Sequence, residues 1–213
     1  DAVRKSLDST TWYDQSDVEY RSLGETVYAR LVVPKSDKAV PCIVGVHGMF
    51  SDNIYQFWTA ADFAAKRGFA VIVPSLPYHH KRTQGRPLIP GQQLIVGPPE
   101  VVKGNLRRAV VDVRRTVDYV SGLPEIDSRS ISVAGISLGG TLATLAFKVD
   151  PRFAKGVAVV GGSGAGGILE NGRTDVLDIF RAAARAGLVN PQEYVDALKI
   201  VDPINLPDPS PRP

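Results

Sequence analysis

Apolar residues recur along this chain with two alternating periods. Val18 to Ser22 and Glu25 to Val33 are β-branched and aromatic-bearing runs separated by Leu23-Gly24, which predicts an antiparallel hairpin of edge strands after a polar opening. Pro41 to Val46 is a continuous apolar run, the pattern of a strand buried on both faces. From Ile54 to Lys66 the period becomes helical (Phe57, Ala60 or Ala61, Ala64), and Gly68 stops it. Phe69 to Val73 reads as the next buried strand. Pro99 to Leu123 then places Val102, Leu106, Val113, Val117 and Val120, with Ala109 or Val110, on one face of a long amphipathic helix. Strands follow at Ile131 to Ala134 and Gly156 to Val160, separated by a small-residue helix from Ser137 through Phe147. Asp175 to Gly187 and Pro191 to Val201 read as two more helices. Repeated βαβ alternation predicts an α/β fold, a mostly parallel sheet with helices on both faces.

The 213 residues suffice for one domain, residues 1–213. Two segments interrupt its regularity: a proline- and glycine-rich loop excursion at 74–99, and a helical cap-like insertion at about 164–201 after the glycine cluster Gly161 to Gly167. From Asp202 to Pro213 the chain is too proline-rich for a helix or a central strand.

Charge and composition narrow the function. The net charge of +3 arises from interleaved signs, which gives no footprint for a nucleic-acid partner. Cys42, the single cysteine, lies inside an apolar run and reads as a buried core thiol. No run of 18 or more apolar residues predicts a membrane span. The first residue is Asp1, so a start removed by signal cleavage or proteolysis is expected, with a cytoplasmic or secreted location both open. Metal-ligand clusters, G-x-G-x-x-G and phosphate-loop motifs are lacking, and no cofactor is expected.

The chemistry concentrates in Gly135-Ile-Ser-Leu-Gly139, which matches G-x-S-x-G between a strand and a helix. Such a turn lifts Ser137 above the sheet. The backbone N–H of Leu138 then lies at a helix N-terminus, where donors and dipole favour developing negative charge. A second donor is expected from the loop after the Cys42 to Val46 strand, where His47-Gly48-Met49 would aim the Met49 N–H at the same oxygen. His47 is expected to shape that loop rather than react. His79 and His80 sit in the loop after Phe69 to Val73, on the edge where α/β folds bind ligands; they read as solvated loop histidines, with substrate contact the alternative.

On these motifs the chain resembles the α/β-hydrolase superfamily from about Val18 to Val201. More narrowly, it resembles the bacterial dienelactone-hydrolase-like and acetyl-xylan-esterase-like members. The resemblance implies Ser137 as nucleophile, Leu138 and Met49 as oxyanion donors, and Arg173 to Val201 as part of a helical insertion that caps the pocket. It also implies a catalytic acid after a seventh strand and a histidine after an eighth. Here no histidine follows Ser137. The fold is therefore expected to lack its last two strands and their helices, with the remaining sheet and triad supplied by further sequence or by a second chain. An acid and base improvised from Asp175 or Asp178 with His79 or His80 is the other reading. The function expected is a serine hydrolase cleaving a carboxylic ester or similar acyl substrate through an acyl-enzyme on Ser137, with peptidase and lipase readings open and this chain alone inactive. The rival is a non-catalytic ligand-binding or interaction protein.

Overall fold

A computed structural model describes residues 2–51, 54–83 and 90–208, with the backbone alone for 54–56. Seven strands form one sheet: β1 (Val3–Ser9), β2 (Tyr13–Ser22), β3 (Glu25–Pro34), β4 (Val40–Val46), β5 (Ala70–Pro74), β6 (Ile126–Ile136) and β7 (Phe153–Val159). Their order is β1-β2-β3-β5-β4-β6-β7. β4 pairs in parallel with β5 and β6, and β6 with β7, while β1, β2, β3 and β5 pair antiparallel in turn. The sheet is thus mixed rather than mostly parallel, because the hairpin is extended by β1. That strand alternates poorly and is exposed at every residue, which is why it reads as a polar opening in sequence. Among the described residues no strand follows β7.

The helices are α1 (Ile54–Ala65), α2 (Gln92–Ile95), α3 (Pro99–Ser121), α4 (Leu138–Val149), α5 (Ala165–Asn171), α6 (Asp175–Arg185) and α7 (Pro191–Leu198). They cover both faces of the sheet. α1 closes a cluster of Tyr13, Val32, Ala61, Ala65, Val71 and Val73 on one face. α3 and α4 pack Val113, Val117 and Leu142 against Leu31, Val44, Ile72 and Val133 on the other. Cys42 is fully buried, and burial pushes its thiol up to about 12, so it stays protonated and inert. No helix among the described residues is long and apolar enough to cross a membrane.

α3 begins at Pro99, whose missing N–H falls where the helix needs none, and buries its i, i+3, i+4 stripe. Three polar residues interrupt that stripe, and each has a partner outside the helix. Asn105 accepts from the Tyr78 hydroxyl at 3.1 Å and donates to Gln93 O at 2.6 Å. Asp112 accepts from Arg82 at 2.7 Å, with both side chains nearly inaccessible. Thr116 shares a hydrogen bond with the Tyr20 hydroxyl. Arg82 also donates to Ser75 O at 2.9 Å and to Glu25 at 3.2 Å.

These contacts correct the picture of 74–99 as a surface excursion. Leu76, His79, Arg82 and Leu94 are buried, because α3 presents polar groups that fix the loop from beneath. Residues 84–89 lie outside the described residues.

Removing one member of a buried ion pair leaves an uncompensated charge, whereas removing both leaves none. Arg82→Met is therefore expected to lower unfolding stability by about 3–5 kcal/mol in urea titration, and Arg82→Met with Asp112→Leu by far less.

Candidate active site

The site begins where β6 ends. Ser137 sits between β6 and α4 with φ 56° and ψ −126°, a conformation that non-glycine residues adopt only when their surroundings enforce it. The enforcing contacts are backbone. Ser137 N–H donates to Val159 O of β7 at 2.9 Å, and Gly140 N–H donates to Ser137 O at 2.8 Å. The flanking glycines are required by contact: a Cβ at Gly135 would lie 2.1 Å from Gly139 O, and one at Gly139 would lie 2.0 Å from Val46 O. The turn therefore exists only while both positions lack side chains.

That geometry exposes Ser137 to solvent and starts α4 directly behind it. Of the first helical N–H groups, those of Gly140 and Thr141 donate back to Ser137 O, and those of Leu138 and Gly139 lie at the serine end of the helix. Gly139 packs on the carbonyls of Val46 and His47, so the strand end that leads into Gly48 and Met49 is in direct contact with the elbow. The structure thus brings the predicted Gly135, Ser137, Leu138, Gly139 and the His47-Gly48-Met49 turn into one region. The chain leaving β7 joins them. Gly161 packs against Gly140, and Thr141 and Gly162 exchange hydrogen bonds at 2.8 and 3.1 Å.

His47 is fully buried. Its Nε2 accepts the Leu76 N–H at 3.1 Å, which leaves the proton on Nδ1, donated to Gly48 O at 2.8 Å. Burial, reinforced by the neighbouring His79, holds its pKa down at about 3. The two rings meet edge to face with centroids 4.6 Å apart. His79 is equally buried, with Nδ1 2.9 Å from Pro77 O, so the loops after β4 and β5 are locked together through the imidazole pair. The geometry does not offer His79 to a substrate. His80 is exposed, but it lines a groove along β1 to β3 and not the elbow.

The improvised acid and base do not assemble. Asp175 and Asp178 are exposed on the first turn of α6, where Asp178 pairs with Arg181. The insertion lies against α3: Tyr194 donates to Gly97 O, just before that helix, at 2.7 Å and meets Phe180 of α6 edge to face.

Sequence reasoning missed Asp202. Its carboxylate accepts the N–H groups of Gly164 at 2.8 Å, Ala165 at 2.5 Å and Ile204 at 3.2 Å, tying the far end of the insertion to the loop leaving β7. An aspartate before Pro203 is an N-cap signal, and the contact with Ile204 fits it. The contacts with Gly164 and Ala165 cross 37 or more residues and leave no local trace.

Sheet order, parallel centre and a strained serine between strand and helix define an α/β-hydrolase fold. The family model for acetyl xylan esterase (AXE1) matches residues 7–161, most of the chain. The chain belongs to this family of ester hydrolases. Among solved structures it is similar to an acetyl xylan esterase from Paenibacillus sp. R4 (19% identity, TM-score 0.76) and to acetyl xylan esterase 1 from Thermoanaerobacterium sp. JW/SL YS485 (18%, TM-score 0.75). Each similarity covers 96% of this chain and 68% of the other. A dienelactone-hydrolase-like protein from Klebsiella pneumoniae is similar over 77% of this chain and 61% of its own (18%, TM-score 0.55). A search of curated proteins found no match.

His47 stays neutral in the fold far below its ordinary 6.5, whereas the unfolded chain takes up that proton. The unfolded state therefore binds more protons between pH 6.5 and about 3, and the stability contributed by neutral His47 is lost as pH falls through that window. The expected slope is up to about 1.4 kcal/mol per pH unit, flattened in His47→Gln and read by urea unfolding from about pH 7 to about pH 4.

Proposed function

We propose that this chain carries the nucleophile and oxyanion-binding half of a serine esterase, which cleaves a carboxylic ester through an acyl-enzyme on Ser137. The observation that carries the reading is the backbone of Ser137 at φ 56° and ψ −126°, strain that a merely structural turn has no need to hold. Ser137 Oγ attacks the ester carbonyl, and the oxyanion is held by the N–H groups of Leu138 and Met49. The alcohol departs with a proton, and water then attacks the acyl carbon to release the acid and restore Ser137. The family description supports a short acyl group on a saccharide as the substrate.

Serine is a weak nucleophile until a base takes its proton. The three histidines of these 213 residues do not supply one: His47 and His79 are buried in their loop-locking pair, and His80 faces the separate groove. The proposed base and its orienting acid therefore come from outside these residues, on further sequence or on a second chain. The same placement favours the second reading, a ligand-binding protein that has kept the elbow without the chemistry.

A fluorophosphonate probe on the full-length protein separates the two. Labelling confined to Ser137 and lost in Ser137→Ala is the expected result, and a folded protein that stays unlabelled establishes the binder. Met49→Pro, which deletes one oxyanion donor, is expected to lower kcat by about 10²–10³-fold in an ester hydrolysis assay.

A further inference from the structure

The N-terminal half of the sheet holds a second concavity, distinct from the elbow. It is a groove of about 550 Å³ on the α1 face of β1 to β3, within the range of roughly 300–1,000 Å³ typical of small-ligand sites. Its floor is built from alternate residues of paired strands. Asp17 faces Arg30 and Glu19 faces Tyr28 in the β2–β3 register, with Gln15 one step further along β2. Its walls are Trp58 of α1 and Lys81 from the loop after β5. On the opposite side the β1–β2 register slips by one residue between Ser6 and Asp8, and both Leu7 and Asp8 line the groove at that bulge.

Three features of this groove point to its ligand. First, four of its charges stand in pairs. Arg30 Nε lies 2.8 Å from Asp17, and Lys81 Nζ lies 4.0 Å from Glu19 and 5.0 Å above the Tyr28 ring. A strongly charged ligand would have to displace one of these partners. Second, the groove keeps hydrogen-bonding capacity beyond those pairs. The Gln15 side chain lines the groove beside those pairs. Its amide offers a donor and an acceptor to a molecule seated there. Arg30 has five N–H donors, and each carboxylate has lone pairs to spare. Third, Trp58 stands 39% exposed at the wall, an indole face open to apolar contact. Planar amide, carboxylate and guanidinium groups beside an open indole suit a molecule with hydroxyls at its edge and C–H groups on its face.

We infer that this groove binds a neutral saccharide chain, stacked on Trp58 and held by Gln15, Asp17, Glu19 and Arg30. The site goes beyond the ester-hydrolase reading, because Ser137 is not among its residues. β3 stands three strand positions from β6, roughly 15 Å at about 4.8 Å per strand. The groove is therefore a holding site and not the acyl pocket.

The test uses the full-length protein with Ser137→Ala, so that its outcome is independent of hydrolysis. The sequence has two tryptophans, and in Trp12→Phe the only indole left among these residues is Trp58. Xylohexaose, cellohexaose and maltohexaose are titrated in turn, with tryptophan emission and calorimetric heat as readouts. Saturable binding of at least one, with Kd near about 1 mM, is expected of an open groove. Which hexaose binds tells a pentose chain from a hexose chain and a β-linked from an α-linked one. Calorimetry should show binding weakened about tenfold or more in Trp58→Ala and in Gln15→Leu, and largely kept in Trp58→Phe. Absence of binding by all three at about 10 mM overturns the inference, as does binding that both weakening substitutions leave unchanged.

Discussion

Everything at this site depends on three backbones meeting without side chains between them. The end of β4, the turn after β6 and the exit from β7 approach so closely that a single methyl group at Gly135 or Gly139 would overlap a carbonyl oxygen. Close packing of this kind turns local strain into a fixed feature. Ser137 cannot relax its φ of 56° without moving Val159, to which its N–H is bonded, or Gly140, which bonds its carbonyl. The position of Ser137 and the start of α4 are therefore determined together.

A second layer holds the loops around that contact, and it is polar. The His47–His79 pair joins the loop after β4 to the loop after β5, while Asn105, Asp112 and Thr116 of α3 grip Tyr78, Arg82 and Tyr20 from below. Burying so many polar groups costs desolvation, and that cost is recovered only if each finds its partner. In return the network fixes one loop arrangement where apolar packing alone would tolerate several. Asp202 does the same for the loop leaving β7 by accepting two of its backbone N–H groups.

Much of this was legible in the sequence, because the signals concerned are local. The runs Pro41 to Val46 and Phe69 to Val73 and the stripe from Val102 to Val120 are properties of neighbouring residues, and they became β4, β5 and α3. The G-x-S-x-G turn is local as well, since its glycines are demanded by contacts within and beside one short segment. What escaped was whatever depends on distant partners. β1 carries no hydrophobic alternation and exists through its ladder to β2. Arg82, in a stretch rich in loop-forming residues, looks solvated until Asp112, thirty positions later, is folded beneath it. His79 reads as a loop histidine for the same reason.

The opposite misfit occurs at β7. Gly156 to Val160 has the apolar composition of a strand covered on both faces, yet Val157, Val159 and Val160 are 56%, 48% and 84% exposed at the sheet edge. Composition and exposure disagree here as they do nowhere else in the central sheet, and the disagreement lies beside Ser137, whose N–H is bonded to Val159. An apolar edge with free ladder positions favours pairing with a further strand. The three histidines of these residues all come from loops after β4 and β5, on the other side of β6 from this edge. The uncovered apolar edge and Ser137 are adjacent. A strand seated on β7 would bury the valines and stiffen the strand that holds Ser137. Packing at this edge and the backbone of Ser137 are coupled through Val159, so a strand seated there would also steady Ser137.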